Sequence, residues 1–289
     1  MILSGVIVVV YAIFVSAAPV AQNSILVEIE EEYNDVPATV LPSVNGDDEQ
    51  GSFFEGDMLL TSAQHQAIQH AKLERNGLKG STKRWPNRTV LYHIVEEDFD
   101  DKEIMMIEEA IKDIANKSCL KFRKKEKDEH AVTIQGSANG CFSNVGYSPT
   151  TSDDSDEEIT QVLNLSKGCF KHGTVVHEML HTLGFYHMQS TFDRDEYVEI
   201  VWENIRSGTE HNFAKYTVDT VTDFGVPYDY GSVMHYPEKA FSKNGNRTII
   251  PLKEGVTIGQ RNGLSESDIQ KLNRMYCEES ETAPVSYME

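Results

Sequence analysis

The sequence predicts an α+β protein, and two observations support that fold class. Strand-type and helix-type patterns are mixed through the first half of the chain, and the second half is mostly irregular, as in many α+β domains. Of the 289 residues, 39% are hydrophobic and 25% are charged, which is the composition of an ordinary globular protein. We expect the compact part to run from about Trp85 to Cys277.

The charge of the chain excludes one class of function. Lys and Arg together number 26 and Asp and Glu 46, so the formal net charge is −20. A protein that binds nucleic acid needs a basic face that follows the phosphates. The acidic balance therefore argues against a nucleic-acid partner.

Four strands are predicted in the first half of the domain. Thr89–Ile94 alternates between apolar and polar residues and is rich in β-forming types, which predicts a strand. Shorter strands are predicted at Lys121–Arg123, Ala131–Gln135 and Gln161–Leu165.

Three helices are predicted along the same stretch and beyond it. Asp100 and Glu103 form a capping box, and isoleucines then recur at helical spacing. Gly184 follows the second helix and stops it. The predicted ranges are Asp100 to about Asn116, Lys171–Leu183 and Ser265–Tyr276.

The N-terminus predicts export. Ile2–Ala18 carries no charge and ends in Ser-Ala-Ala, which predicts a cleaved signal peptide over residues 1–18. A transmembrane anchor is the alternative, but the run is short for the ~20 residues that span a bilayer. We therefore expect a secreted, extracellular protein without stable membrane association.

The next segment, Pro19–Arg75, differs in composition from the rest of the chain. It holds 11 acidic residues against only Lys72 and Arg75, and it shows little apolar periodicity before Met58. Such a segment does not predict an independently folded domain. A disordered tail and a pro-segment both fit this pattern.

The chemistry of the chain is concentrated in the second predicted helix and the turn after it. His177 and His181 are four residues apart, so both imidazoles lie on one helical face and can take two corners of a tetrahedral zinc site. Glu178 is placed to take a proton from a water molecule at the metal. Gly184 can turn the chain sharply and bring back His187 as a third ligand. Three ligands leave a position open, which is typical of a catalytic zinc site.

Alternatives exist for parts of this pattern. The short motif HExxH also occurs by chance on ordinary helices, whereas the extended motif HExxHxxGxxH is far more specific. Downstream, Ser232–Tyr236 reads SVMHY, and a methionine in a tight turn completes the metzincin pattern. Alone, Met234 would more often be a plain core methionine.

These motifs together resemble the astacin family of zinc endopeptidases. The resemblance extends from about Phe54 to Cys277. It implies a two-lobed catalytic domain, with a mixed twisted sheet and helices in the N-terminal lobe, a mostly irregular C-terminal lobe, and the active-site cleft between them. The segments that carry the resemblance are RWPNRTVLY at Arg84–Tyr92, HEMLHTLGFYH at His177–His187, DRDEYV at Asp193–Val198 and SVMHY at Ser232–Tyr236.

The resemblance implies a metal, an activity and roles for individual residues. One zinc ion per subunit is expected on His177, His181, His187 and Tyr236, and the substrates are expected to be proteins or peptides. Glu178 would shuttle a proton, while Tyr236 would swing away to hydrogen-bond the tetrahedral intermediate. From its chemistry alone, Tyr236 could equally be an amphipathic core residue. A catalytically silent, zinc-stabilised extracellular binding protein is the alternative function, although intact Glu178 and Tyr236 favour the enzyme.

The four cysteines suit a secreted domain with two disulfides. Four cysteines allow three pairings. The resemblance implies Cys119–Cys277 and Cys141–Cys169.

The resemblance also gives the acidic segment a role. Phe54–Asp57 resembles the FxGD element of astacin pro-segments, in which the Asp carboxylate occupies the open position on zinc. An ordinary loop aspartate is the alternative for Asp57. Activation is expected by a trypsin-like protease after Arg75, which makes Trp85 the tenth residue of the mature protein. The resulting segments are a signal peptide over 1–18, a propeptide over 19–75, a catalytic domain over 76–280 and a tail over 281–289.

Two positions near the site carry separate expectations. The family usually has a Glu directly after the third His, where it anchors the new N-terminus. This chain has Met188 there, and a methionine cannot form an ion pair with an ammonium group. Arg261 resembles a basic position that lines the primed-side pocket in some relatives, which implies a preference for an acidic residue after the cleaved bond. A solvated loop arginine is the alternative.

The remaining patterns concern modification and metal binding at the surface. Ser152–Glu158 is acidic but lacks the spaced ligands and central Gly of a calcium loop, so we interpret it as a solvated loop. Sequons, which are consistent with secretion, predict glycosylation at Asn87, Asn116, Asn164 and Asn246.

Overall fold

A computed structural model describes residues 53–71, 83–149, 161–216 and 222–278. The predicted signal peptide, the cleavage site at Arg75, the acidic loop Ser152–Glu158 and the C-terminal tail all lie outside the described residues. The α+β class is confirmed by the elements of the described part.

A six-stranded sheet forms the centre of the first half of the domain. Its order is β1-β5-β6-β4-β2-β3, and all neighbours are parallel except β5 and β6. The four predicted strands are present within one or two residues of their expected bounds. The strands are β1 (Met58–Leu59), β2 (Thr89–Ile94), β3 (Lys121–Lys124), β4 (Val132–Gln135), β5 (Cys141–Asn144) and β6 (Gln161–Leu165).

The described part contains four α-helices: α1 (Ser62–Ala71), α2 (Asp101–Asn116), α3 (His172–Thr182) and α4 (Glu266–Tyr276). The predicted capping box of α2 is present, since Asp100 accepts from the Glu103 N–H at 2.9 Å and the Glu103 carboxylate accepts from the Asp100 N–H at 2.9 Å. Helix α4 begins with a second capping box, between Ser265 and Asp268. None of the helices in the described ranges is long and apolar enough to cross a membrane.

Helix α3 lies in the core, packed against α2 and against strands β5 and β6. Every residue from Gly173 to Thr182 is buried, so the whole circumference of the helix is covered. Four apolar side chains of α2 line the same core, namely Ile107, Ala110, Ile111 and Ile114. A helix held on all sides is a rigid support for the side chains that it presents to the site.

The second half of the domain contains little regular structure in its described residues. Strands β7 (Val198–Ile200) and β8 (Ile249–Pro251) form a two-stranded antiparallel sheet, and α4 is the α-helix of this half. Short 3₁₀ turns and loops make up most of the remainder. The irregular second half predicted from the sequence is therefore present.

Two disulfides join elements that are distant along the chain. Cys119, which follows α2, pairs with Cys277 at the end of α4, and Cys141 in β5 pairs with Cys169. This is the pairing implied by the resemblance. The first bridge connects the two halves of the domain across 158 residues.

Candidate active site

Helix α3 supplies the first two of the predicted metal ligands. His177 and His181 are both fully buried, and their Nε2 atoms are 3.1 Å apart. The helical spacing predicted this proximity, because residues four apart lie above one another on one face. Glu178 follows His177 on the same helix and is also fully buried.

A sharp turn at Gly184 brings the third histidine to the first two. Gly184 has φ of 103°, a conformation that disfavours side chains, and its N–H donates to the His181 carbonyl at 2.8 Å. The Phe185 N–H donates to the Leu180 carbonyl at 3.0 Å, which completes a Schellman motif. The chain then doubles back, and His187 Nε2 lies 3.3 Å from His177 Nε2.

The other ring nitrogen of each histidine fixes its tautomer. Nδ1 of His177 is 2.8 Å from the Val233 carbonyl, and Nδ1 of His181 is 2.8 Å from the Phe185 carbonyl. Because a carbonyl oxygen can only accept, each Nδ1 carries the proton and each Nε2 presents a lone pair. His187 has a carboxylate in the same place, with its Nδ1 2.8 Å from Glu55 Oε2. Three lone pairs therefore converge on one point.

Asp57, from the segment before the main sheet, adds a fourth candidate ligand atom at that point. Asp57 is fully buried, and its Oδ2 lies 3.2 Å from His177 Nε2 and 3.1 Å from His187 Nε2. Its Oδ1 is 3.5 Å from His181 Nε2. The four ligand atoms all lie within 4.8 Å of one another.

The donor set fits zinc in both chemistry and spacing. Zinc prefers imidazole nitrogen and carboxylate oxygen at about 2.0–2.1 Å in a tetrahedron, which places ligand atoms about 3.3 Å apart. His177 Nε2 is 3.1 and 3.3 Å from the Nε2 atoms of His181 and His187, and Asp57 Oδ2 is 3.2 and 3.1 Å from those of His177 and His187, all close to that edge length.

The electrostatics of the site also favour a cation. Burial opposes the charge on Asp57, but the imidazoles of His187 and His181 outweigh it and hold the pKa of this carboxyl well below its usual value. Burial likewise disfavours a charged His187, yet the carboxylates of Asp57 and Glu55 raise the pKa of this imidazole to about 9. The same two carboxylates would stabilise a divalent cation beside His187.

A tight turn over Phe53–Gly56 aims Asp57 at the histidines. Gly56 has φ of 92°, and its N–H donates to the Phe53 carbonyl at 2.9 Å. The Asp57 carbonyl then accepts from the Ser143 N–H at 2.9 Å, where β1 begins to pair with the edge of β5. The turn and the strand together leave the Asp57 carboxylate little freedom.

The turn at Ser232–Tyr236 lies beneath the histidines. Met234 is buried, and its carbonyl accepts from the Met188 N–H at 3.0 Å, which ties the turn to the residue after His187. The ring of Tyr236 is 4.6 Å from that of His187, and its hydroxyl donates to the backbone carbonyl of Glu55. In this structure the hydroxyl of Tyr236 is thus held by Glu55. Its expected role as a zinc ligand stays a prediction.

Arg261 is fastened to the same turn. One of its guanidinium nitrogens donates to the carbonyls of Val233 and His235 at 3.0 and 3.1 Å. These bonds explain why the side chain is half-buried and show that it is not the freely solvated loop arginine of the alternative interpretation.

Met188 has an unusual neighbour. It is buried, and its sulfur lies 3.1 Å from the ammonium of Lys271, which is itself buried. Burial lowers the pKa of Lys271 despite the opposing effect of Asp268. The thioether accepts from a lysine at the position where the family usually places a glutamate.

The predicted glycosylation sites differ in exposure. Asn87, Asn116 and Asn246 are exposed. Asn164 is instead fully buried in β6, where its amide donates to the carbonyls of Ala138 and Gly140 at 2.9 and 2.7 Å. The folded protein cannot hold a glycan there, because strand pairing and burial overrule the sequon pattern.

Several buried polar residues of the site were not singled out by the sequence. Glu55 contacts both His187 and Tyr236, and Gln189 accepts from the Tyr236 N–H at 3.0 Å. Asp268 accepts from the Val233 N–H at 2.9 Å and from the Ser232 hydroxyl at 2.6 Å. The capping box at Ser265 was a signal that could have found Asp268, whereas Glu55 and Gln189 act through contacts that no local pattern marks.

A buried set of three histidines from an HExxHxxGxxH helix and turn, with a methionine turn beneath it, defines a metzincin-type zinc site. The model of the astacin family, peptidase family M12A, matches residues 77–277. The chain belongs to this family, as the sequence motifs predicted.

Curated relatives support this assignment. Zinc metalloproteinase nas-7 of Caenorhabditis elegans is 37% identical over 214 residues, which are 73% of this chain and 53% of that protein. Seminal metalloprotease 1 of Drosophila melanogaster is 39% identical over 234 residues, which are 78% of this chain and 86% of that protein. The chain thus spans about half the length of nas-7 and most of the length of the fly protein.

A solved structure supports the fold as well. High choriolytic enzyme 1, a hatching-enzyme zinc protease from the medaka fish Oryzias latipes, is 34% identical with a TM-score of 0.57. The match covers 68% of this chain and 93% of that one.

Proposed function

We propose that this chain is a secreted zinc metalloendopeptidase, made as a zymogen whose pro-segment blocks the metal. The observation that carries the proposal is the convergence of three Nε2 lone pairs and the Asp57 carboxylate within 4.8 Å. Zinc, when bound there, supplies a Lewis acid that polarises the scissile carbonyl and lowers the pKa of a water molecule.

Glu178 and Tyr236 supply the remaining chemistry in this proposal. Glu178 accepts a proton from the attacking water and donates it to the leaving amine, which is general base and then general acid catalysis. The Tyr236 hydroxyl, once the Glu55 carbonyl is removed, donates a hydrogen bond to the developing oxyanion.

The substrate is proposed to lie where the pro-segment now lies. Strand β1 occupies the edge of the sheet beside β5, so its removal exposes the unpaired backbone groups of β5. An extended peptide can pair with such an edge and present a carbonyl to the metal. The proposed acidic preference after the cleaved bond, through Arg261, can be measured with a peptide library.

Activation is proposed to follow cleavage after Arg75 by a trypsin-like protease. Such a cut would release Asp57 together with the rest of the pro-segment and open the fourth position of the metal. N-terminal sequencing of the active form should find Asn76 first. A chain that begins at Trp85 would contradict the proposed site.

The decisive experiment is casein hydrolysis by the activated protein with and without a chelator. Glu178→Gln should lower kcat by about 10²–10⁴-fold, as expected for loss of a general base, while the protein retains zinc. Glu109→Gln, at an exposed position on α2, is the matched control and should keep full activity. Cleavage that resists the chelator, or full activity of Glu178→Gln, would refute the enzyme and favour the catalytically silent binding protein.

A further inference from the structure

The pro-segment places a second carboxylate near the metal centre, two residues before Asp57. Glu55 is fully buried, and its Oε2 lies 2.8 Å from Nδ1 of His187, on the side of the ring that faces away from the metal. The backbone carbonyl of the same residue accepts the hydroxyl of Tyr236. One residue of the pro-segment therefore contacts two side chains to which the proposed mechanism assigns roles.

The backbone at Glu55 is strained, which requires compensation. Glu55 has φ of 47°, and Gly56 after it has φ of 92°, so two successive residues adopt the left-handed region. A residue with a side chain costs of order 1 kcal/mol or more there, and such strain persists only where surrounding contacts stabilise it. The contacts with His187 and Tyr236 provide that compensation.

Glu55 also contributes to the charge balance of the site. A divalent cation brings two positive charges into a fully buried site. The carboxylates of Asp57 and Glu55 offset that charge, together with Glu178 on α3. A carboxylate hydrogen-bonded to the second nitrogen of a ligating histidine also makes that histidine a stronger ligand.

The neighbourhood of Glu55 is otherwise closed. Its Oε1 and the hydroxyl of Tyr216 are both buried, and neither has a hydrogen-bond partner within the described part of the chain. Within the described residues, the hydrogen bond of the Glu55 carboxylate is the one with Nδ1 of His187.

We propose that Glu55 is a second latency residue, which holds zinc in the zymogen through His187 and keeps Tyr236 away from the metal. The proposal rests on the proposed zymogen function, and it gives the pro-segment two separate actions. Asp57 fills the open ligand position, whereas Glu55 strengthens one permanent ligand and captures the catalytic tyrosine. Cleavage would remove both at once, so His187 loses its carboxylate partner as Tyr236 is freed.

The test measures zinc retention by the full-length zymogen. Zinc transfer to a chromogenic chelator is followed for the wild type, Glu55→Gln and Glu55→Ala, with Glu109→Gln as an exposed control. Glu55→Ala should weaken zinc binding about 10- to 100-fold, as for other partners of ligating histidines. The zinc affinity of Glu55→Gln should lie between those of the wild type and Glu55→Ala. The amide oxygen of this variant still accepts from Nδ1 of His187 but carries no charge. Both Glu55 zymogens should stay inactive on casein, because Asp57 still fills the open position and the backbone carbonyl of residue 55 still accepts from Tyr236.

An internal control comes from activation itself. Cleavage after Arg75 removes residue 55, so the mature enzymes from all Glu55 variants have the same sequence and should have equal activity and zinc affinity. Recovery of that activity shows that a variant zymogen folded. If wild-type zymogen holds zinc and can be activated, but both Glu55 variants match it in zinc retention, this inference is wrong. If the wild type itself neither holds zinc nor cleaves casein after activation, the proposed function fails instead.

Discussion

The two halves of the domain hold their parts of the site in different ways. In the described part of residues 83–182, parallel strands and buried helices fix the backbone by regular hydrogen-bond ladders, and α3 presents His177 and His181. In the described part of 184–278, loops predominate, and buried side chains fix the backbone by binding its carbonyls and N–H groups. Both halves nevertheless place imidazole nitrogens at separations from His177 that are close to the edge of a zinc tetrahedron.

This difference predicts which substitutions destabilise each half. Arg194 is buried and donates to the carbonyls of Gln189 and Phe213 at 3.1 and 2.7 Å. One side chain there satisfies backbone groups that neighbouring strands would satisfy in a sheet. Loss of one such residue leaves several buried backbone groups unsatisfied. In the sheet half, loss of one apolar side chain removes only its own packing. Substitutions should therefore have sharper effects in the loop half.

The largest expected effect concerns the bridge between the halves. Replacing Cys119 and Cys277 with serine opens a loop of 158 residues, worth about 5 kcal/mol of unfolding free energy in the loop-entropy model. Replacing Cys141 and Cys169 opens a loop of only 28 residues, worth about 3.5 kcal/mol in the same model. Urea unfolding of the two double variants measures this difference in unfolding free energy. Equal losses would show that the bridge between the halves stabilises the protein no more than the shorter one.

The next largest effect is expected at Asp268 in the loop half. Its buried carboxylate accepts from Ser232, Val233 and Ser265, and Asp268→Asn should cost about 3 kcal/mol because an NH₂ group then faces donors. The turn beneath the metal should shift as well, which lowers kcat. Asp101→Asn, on an exposed acid of α2, is the control and should change the unfolding free energy little. A loss at Asp268 no greater than that of the control would contradict the proposed vulnerability.

The smallest effect is expected in the sheet. Ile134 in β4 is fully buried, and Ile134→Val should cost about 1 kcal/mol, the usual effect of removing one buried methylene. Activity should not change, since the strand ladder keeps the backbone in place. A loss in unfolding free energy as large as that of Asp268→Asn would remove the contrast between the halves.

The same contrast explains what the sequence could predict. Strands such as Thr89–Ile94 and the helix that begins after Asp100 follow from local periodicity and capping, and they are present where expected. Strand β5 escaped prediction because its four residues, CFSN, have no clear alternation and are defined by pairing with β6. Strands β7 and β8 have three residues each and depend on one another.

The site divides along similar lines. His177, Glu178 and His181 follow from helical spacing within one element, and the glycine turn predicts His187. Glu55 could not be predicted, because its role depends on a contact with a histidine 132 residues away and on a left-handed backbone. The burial of Asn164 depends likewise on strand order, which a sequon does not encode.

Gly184 limits how far this part of the chain can diverge. Its φ of 103° lets the chain reverse within one residue, so that a third imidazole returns to the helix it has just left. A side chain at this position would misdirect the loop even if all three histidines were kept. In a library of random substitutions across residues 177–187, we expect this chemically inert position to accept about as few replacements as the ligands themselves. Drift of the surrounding sequence is thus constrained by the path of the backbone as firmly as by the demands of the metal.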